Sequence, residues 1–214
     1  MMVARAVDFC ESVFDTGSDH AFVPIYLIQN GICKSAVASD VREGPLKVSI
    51  RNIKKYDLTD SITIKKGDGI ENAAGFDCII IAGMGGQLIS DLIEKNKDIA
   101  KNTKQLILQP MNAPEKLRKY LWDEGFSIVD ENLCSEKHRV YNVMCAEYTG
   151  KAEEYYEWQL HSSKQLLKNK NSLLPGYLAP KLKRLHAMQK GLGYKDENFN
   201  ELIAKLEEII DEYS

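Results

Sequence analysis

The stretch Phe76-Asp77-Cys78-Ile79-Ile80-Ile81-Ala82 carries no polar side chain after Asp77. A strand with one wet face alternates apolar and polar residues. An unbroken apolar run needs cover on both faces, as in the middle of a parallel sheet sandwiched between helices. The run leads into Gly83-Met84-Gly85-Gly86, then into Leu88, Ile89, Leu92 and Ile93 at helical spacing. Strand, glycine turn, helix is the unit of a doubly wound α/β domain, whose ligand lies beyond the carboxyl ends of the strands. Glycines after a central strand let backbone approach a ligand closely. A phosphate-binding loop would need Lys-Ser/Thr next, and Gln87-Leu88 stands there instead.

The same unit opens the chain. Ser12-Val13-Phe14 reads as the end of a buried strand, Asp15 to His20 as a polar turn, and Ala21 to Ile28 as an apolar helix ended at Asn30-Gly31. Gly17 gives the backbone close approach to a nucleoside. The pattern G-x-G-x-x-G is absent, so no pyrophosphate cradle is expected. A strand ending in Asp-x-Gly suits a ligand with an amine and a carboxylate, such as S-adenosylmethionine. Ser35 to Ser39 reads as a second strand ending at Asp40, which either accepts from ribose hydroxyls or caps the next helix. That helix spans Leu46 to Tyr56, with Pro45 in its first turn. Ile62-Thr63-Ile64 is a short third strand before Lys66-Gly67-Asp68-Gly69, where Asp68 either meets an adenine amino group or makes a plain turn. Leu106-Ile107-Leu108 is a further central strand ending at Gln109-Pro110-Met111-Asn112. A helix over Leu117 to Gly125 follows, and Ser127 to Leu133 with Tyr141 to Tyr148 read as a closing antiparallel pair.

From Lys151 the pattern turns helical, which divides the chain into an α/β domain over 1–150 and a helical domain over 151–214. Tyr156, Leu160 and Leu167 share one helical face; Leu178, Leu182, Leu185 and Met188 share another after a break at Pro175-Gly176. Phe199, Leu202, Ile203, Leu206, Ile209, Ile210 and Tyr213 form an amphipathic stripe. Residues 151–194 hold eight Lys/Arg against three Asp/Glu; residues 195–214 hold two against seven. The acidic end suits complementarity between neighbouring helices. Lys164, Lys168, Lys170, Lys181, Lys183, Arg184 and Lys190 form either a phosphate-facing surface or a simply solvated one. A formal charge of −3 over 214 residues excludes coating of nucleic acid by bulk charge, not a local basic face. Five scattered cysteines without C-x-x-C read as reduced thiols of a cytoplasmic protein. No apolar run approaches a membrane span and no signal-peptide pattern opens the chain. His138, His161 and His186 have no Cys or carboxylate at ligand spacing, so no metal is expected.

Together, DTGSDHAFVPIYL (15–27), AVASDVREGPL (36–46), KGDGI (66–70), IIIAGMGGQLI (79–89) and LILQPMNAPEKLRKYL (106–121) resemble the bacterial tRNA adenine-22 N1-methyltransferases, the TrmK family. The resemblance implies a Rossmann-like class I methyltransferase domain with a mainly parallel doubly wound sheet, and a C-terminal α-helical, coiled-coil-like appendage. It implies S-adenosylmethionine as cofactor, tRNA as partner, and no obligate protein partner. Asp15, Gly17, Ser18, Asp19 and His20 match the motif for the methionine end of the cofactor. Asp40 with Val41 matches the ribose position, and Asp68 with Gly69 the adenine-side turn. Ala82, Gly83 and Met84 match the strand end where methyl donor and base meet. Asp19, His20 and the backbone at Gly83 are the catalytic candidates, holding the extruded base; Gln109, Pro110 and Tyr141 shape its pocket. Lys164, Lys168, Lys181, Lys183 and Arg184 are the RNA-binding candidates. The chain departs from the family in a leading segment of about eleven residues with Arg5 as its basic residue, and in Thr16 where an aliphatic residue is usual. Methyl transfer to another RNA or to a small molecule, and a non-catalytic nucleotide-binding module, are the alternative readings.

Overall fold

The computed structural model describes residues 2–192 and 197–213. Seven strands form one sheet: β1 (Cys10–Thr16), β2 (Cys33–Asp40), β3 (Ile62–Lys66), β4 (Cys78–Met84), β5 (Gln105–Pro110), β6 (Phe126–Glu136) and β7 (Arg139–Tyr148). Their spatial order is β3-β2-β1-β4-β5-β7-β6. The first five run parallel, and the β6–β7 hairpin is antiparallel. Helices α1 (Met2–Arg5), α2 (Phe22–Gln29), α3 (Glu43–Lys55), α4 (Gly86–Lys95), α5 (Lys97–Lys101) and α6 (Pro114–Asp123) connect the strands.

The apolar run in β4 shows why the sheet is covered twice. Ile79 and Ile81 point into one core with Phe14, Leu106, Ile89 and Ile93 of α4, and Leu117 and Leu121 of α6. Cys78 and Ile80, one residue out of phase, point into a second core with Val13, Ile107, Ile25 and Leu27 of α2, and Ile53 of α3. Four cysteines, Cys10, Cys33, Cys78 and Cys145, fill this second core as free buried thiols.

Several boundaries differ from the sequence reading. Asp15 and Thr16 belong to β1, whose pairing with β2 continues to Thr16↔Ser39, so the turn begins at Gly17. Likewise β4 runs on through Gly83 and Met84, with a bulge between Ala82 and Met84 that Gly83 accommodates at φ +76°. The helix after Asp40 starts at Glu43, three residues ahead of Leu46.

The expected helix joining Tyr156, Leu160 and Leu167 does not form. A 3₁₀ turn at Glu157–Leu160 and one turn of helix, α7 (Lys164–Lys168), stand in its place. Ser163 causes the break: its hydroxyl accepts the Leu166 N–H at 3.2 Å and restarts the chain as a helix cap. Pro175 and Gly176, expected to break a helix, fall in the first turn of α8 (Leu174–Leu192), where the missing N–H of a proline costs nothing. Met188 faces solvent, off the buried face of α8. α9 (Glu197–Tyr213) packs Leu202, Ile203, Leu206 and Ile209 against Leu178 and Leu185 of α8. That third core also takes Leu133 and Val140 from the β6–β7 hairpin, so the tail is seated on the sheet's antiparallel extension. Of the acidic end, Asp196 lies outside the described residues, and Glu207 meets His186 of α8 at 3.1 Å.

A buried ion pair fixes this seat. Arg118 of α6 and Glu131 of β6 are both fully buried and joined through two guanidinium nitrogens. Asn142 of β7 donates to the same carboxylate at 2.7 Å, and Arg118 also donates to the Leu160 carbonyl. Removing one partner strands the other charge in a dry interior, which costs about 3–5 kcal/mol. Arg118→Met is therefore expected to lower unfolding stability by about that amount, measured by urea denaturation. A loss below about 1 kcal/mol would mean that water reaches the pair.

Candidate functional site

At the carboxyl ends of the parallel strands, where the strand order reverses between β1 and β4, the backbone opens into a crevice of ≈ 560 Å³ including its open mouth. Four strand ends build it. Thr16 and Gly17 come from β1, Asp40, Val41 and Arg42 from β2, Gly67 and Asp68 from β3, and Ala82, Gly83 and Met84 from β4. Backbone links tie these ends together. Ser18 N–H donates to the Ser39 carbonyl at 2.8 Å, and Gly67 N–H to the Asp40 carbonyl at 3.3 Å. The Thr16 hydroxyl donates to the Gly69 carbonyl at 3.1 Å.

Each wall has a specific electrostatic character. Asp40 has only 4% of its side chain exposed, and its Oδ1 accepts the Arg42 N–H at 2.8 Å and Arg42 Nε at 3.3 Å. The bland alternative, a cap for the next helix, is not what its side chain does: α3 has no side-chain cap bond, and Arg42 is its capping residue. Asp68 is exposed and 4.0 Å from Lys95. Gly17 sits at φ +71°, and a Cβ there would meet the Met84 methyl at 2.6 Å. A side chain at this position would fill the crevice floor as well as strain the backbone. Gly83 N–H donates to Gln109 Oε1 at 3.0 Å, coupling the β4 bulge to the end of β5.

Of the sequence candidates, Gly17, Asp40, Val41, Asp68, Ala82, Gly83 and Met84 line the crevice together. Asp15 and Ser18 are buried behind its wall, and Gly69 is buried beneath the Thr16 hydroxyl. Asp19 and His20 stand outside the lining and pair with each other at 3.4 Å, His20 also lying 5.7 Å from the Phe22 ring. His20 and Ala21 hold φ values of 68° and 57°, two consecutive left-handed residues with side chains. Such strain costs on the order of 1–3 kcal/mol per residue and collects at functional turns. Thr16, Arg42 and Gly67 also line the crevice, although the sequence marks Thr16 only as a departure from the family and Gly67 only as a turn residue. The spacing Asp40-x-Arg42 was the available signal. Lys181 and Arg184 face a different groove, while Lys164, Lys168 and Lys183 are exposed on α7 and α8. Among the described residues no cluster of three or more His, Cys, Asp or Glu is arranged to hold a metal, and no helix is long and apolar enough to cross a membrane.

A reversing parallel sheet with glycine turns, a buried acid at the end of β2 and a crevice at the switch point defines a Rossmann-like domain with a nucleoside-type ligand site. The chain belongs to the TrmK family: the family model, described as tRNA (adenine(22)-N(1))-methyltransferase, matches residues 13–213. It is 36% identical over 135 residues to the tRNA (adenine(22)-N(1))-methyltransferase of Bacillus subtilis (strain 168). That match covers 62% of this chain and 57% of the relative, less than two thirds of its length. A Streptococcus pneumoniae protein solved with S-adenosyl-L-methionine superposes with a TM-score of 0.82 at 29% identity, over 98% of this chain and 96% of that one. The M. capricolum TrmK, solved with S-adenosyl-homocysteine, gives 0.81 at 26% identity, over 100% and 96%.

Burial pushes the Asp15 carboxyl up to about 7, with the neighbouring Ser18 side chain opposing the shift. The folded protein therefore holds a proton on Asp15 that the unfolded chain has released between about pH 4 and 7. Stability from this group falls as pH rises through that window and is level above it. A shift of this size corresponds to on the order of 4 kcal/mol. Asp15→Asn is expected to flatten the decline, measured by urea unfolding at pH 5 and pH 8. An unchanged pH slope in the variant would show that Asp15 titrates normally.

Proposed function

We propose that this protein transfers the methyl group of S-adenosylmethionine to N1 of adenine 22 in tRNA. The carrying observation is the switch-point crevice with Asp40 buried in its wall, in a chain of the TrmK family. Relatives solved with S-adenosyl-L-methionine and its product support the choice of cofactor. The crevice fits such a ligand on its own evidence. Asp40, buried in the lining, makes both of its protein contacts through Oδ1, and glycine at position 17 avoids the 2.6 Å contact that a Cβ would make with the Met84 methyl.

When bound, the cofactor supplies an electrophilic methyl on a sulfonium. In this reading Asp15, Gly17 and Ser18 form the methionine end of the site, Asp40 accepts from the ribose hydroxyls, and Asp68 and Gly69 border the adenine. Asp40 suits that role because both its protein contacts use Oδ1. Ala82, Gly83 and Met84, at the bulged end of β4, form the surface against which the acceptor base lies. Adenine N1 carries its own lone pair, so the chain need not supply a strong base. Its task is to extrude the base and align it, which can contribute roughly 7–11 kcal/mol. Asp19 and His20 hold the extruded base on its Watson–Crick edge, His20 having a buried Nδ1 without a partner. Residues 1–150 act as the catalytic domain and 151–214 as the RNA-facing helical domain, with Lys164, Lys168, Lys181, Lys183 and Arg184 toward phosphates. The reaction belongs in the cytoplasm, with its tRNA.

Methyl transfer from labelled S-adenosylmethionine into unmodified bacterial tRNA, followed by nucleoside analysis, tests the reading. The expected result is label in N1-methyladenosine, abolished when adenine 22 is replaced. Cofactor binding with no label in tRNA would assign the crevice to another acceptor. Asp40→Asn is expected to weaken S-adenosylhomocysteine binding by about 10- to 100-fold, the loss of hydrogen bonds to a charged group, measured calorimetrically.

A further inference from the structure

A second groove, larger than the cofactor crevice, lies beside it. It encloses ≈ 1540 Å³ including its mouth, against ≈ 560 Å³ for the crevice. Four segments line it: the stretch from Pro110 to Glu115, the hairpin tip from His138 to Asn142, His161, and the face of α8 from Gly176 to Met188. The two openings share a partition. Pro110 pairs with Met84 in the sheet, and Met111 N–H donates to the Met84 carbonyl at 2.7 Å, while Met84 itself lines the crevice.

The lining has the chemistry of a single-stranded nucleic-acid channel, a cationic track with flat and soft apolar faces beside it. Arg139 and Arg184 provide fixed positive charge and Lys181 a titratable one, against one carboxylate, Glu115. That carboxylate is already engaged 3.7 Å from Lys181, whose ammonium also lies 4.6 Å from the Tyr177 ring centre. Lys181 is thereby held in place before anything binds. Desolvation pulls it down to about 8, so its charge lacks the solvation that a phosphate oxygen would restore. His161 is pulled down to about 4 by burial and by Lys181. It is neutral at physiological pH, with a buried Nδ1 that has no partner in the protein. Met111 and Met188 are exposed across the mouth, 44% and 53%, beside the half-buried Tyr141.

We infer that this groove holds the nucleotides flanking the methylated adenine, with Arg139 and Arg184 gripping phosphates from opposite walls and Tyr141, Met111 and Met188 covering an unstacked neighbouring base. The inference rests on the proposed tRNA methylation. An adenine drawn from its stack into the crevice leaves a neighbour with one bare face, and that neighbour lies one partition away. Specificity for a site in tRNA then has a physical source beyond the target base: the groove admits a strand that can leave its duplex locally. A free nucleotide or an apolar peptide matches the lining less well, since the cations are spread over two walls with apolar faces between them.

Equilibrium binding of unmodified tRNA over a range of salt, together with steady-state methylation, decides it. Arg139 and Arg184 are exposed, so alanine there leaves the fold intact. The double variant Arg139→Ala/Arg184→Ala is expected to raise the tRNA dissociation constant and KM at least tenfold. It should reduce the slope of log affinity against log salt by about 1.4–1.8, while S-adenosylhomocysteine binding is unchanged. Lys183→Ala, on the same helix but outside the groove, should cost less than Arg184→Ala. Tyr141→Ala should weaken binding by about tenfold and Tyr141→Phe should restore it, as stacking requires. Wild-type protein that methylates tRNA while the double variant binds it normally would overturn the groove and leave the methylation standing. Equal losses from Lys183→Ala and Arg184→Ala would also overturn it, in favour of general surface charge. A wild-type protein that binds no tRNA would overturn both readings.

Discussion

The buried contact between Arg118 and Glu131 decides how the two parts of the chain meet. Its members come from α6 and β6, yet the guanidinium also takes the Leu160 carbonyl from the tail, and Asn142 of β7 completes the carboxylate. Four segments distant in sequence are thus tied to one charge pair. Such pairs stabilise a fold little compared with an apolar substitute, because desolvation offsets attraction. What they impose is a single geometry, since each donor must find its acceptor or remain stranded. Here that geometry is the floor of the second groove: Asn142 lines it and touches the pair, and Glu115 and Tyr177 hold Lys181 above it.

A similar economy of constraint shapes the switch-point crevice. Close approach of four strand ends leaves little space, and the chain solves this with backbone. Gly17 would collide with Met84 if it bore a side chain, and Gly83 opens a bulge that sends its N–H to Gln109 instead of along the ladder. Behind β4, a Cβ on Gly86 would come within 2.3 Å of the Ala113 carbonyl, so α4 can begin where it does only with glycine there. The left-handed backbone at His20 and Ala21 is held by a distant residue: Asn52 of α3 donates to the His20 carbonyl at 2.9 Å. Strain at the β1–α2 turn is offset by packing two elements away.

The parallel sheet was legible because double burial leaves an unmistakable composition in β4, and the strand-end turns because glycine and acid mark them. Strand lengths were less legible. Asp15 and Thr16 look like turn residues, yet they continue β1 because their neighbours in β2 and β4 supply the pairing, which no local propensity encodes. The tail failed where a side chain competed with the helix. Leu160 and Leu167 carry helical spacing, but Ser163 between them caps a new turn. In the site, residues marked by type were visible, whereas Thr16, Arg42 and Gly67 enter the crevice by position alone. Of the second groove, Pro110, Tyr141, Lys181 and Arg184 were visible one by one, but not their meeting, because loop, hairpin and α8 are brought together only by the fold.

The formal charge of −3 does not count against the proposed RNA partner, because what a phosphate meets is the distribution of charge. At physiological ionic strength charges act over ~8 Å, so a phosphate responds to the side chains around it and hardly to the far surface. Within the tail the acidic residues are concentrated on α9, which turns its apolar stripe into the tail core and engages α8 through His186. In the groove the one carboxylate is already opposed by Lys181. The local field there is set by Arg139 and Arg184, presented from elements that only the folded chain brings face to face. A basic surface of this kind has no signature in composition, since its charge density comes from the fold's ability to separate acids from bases.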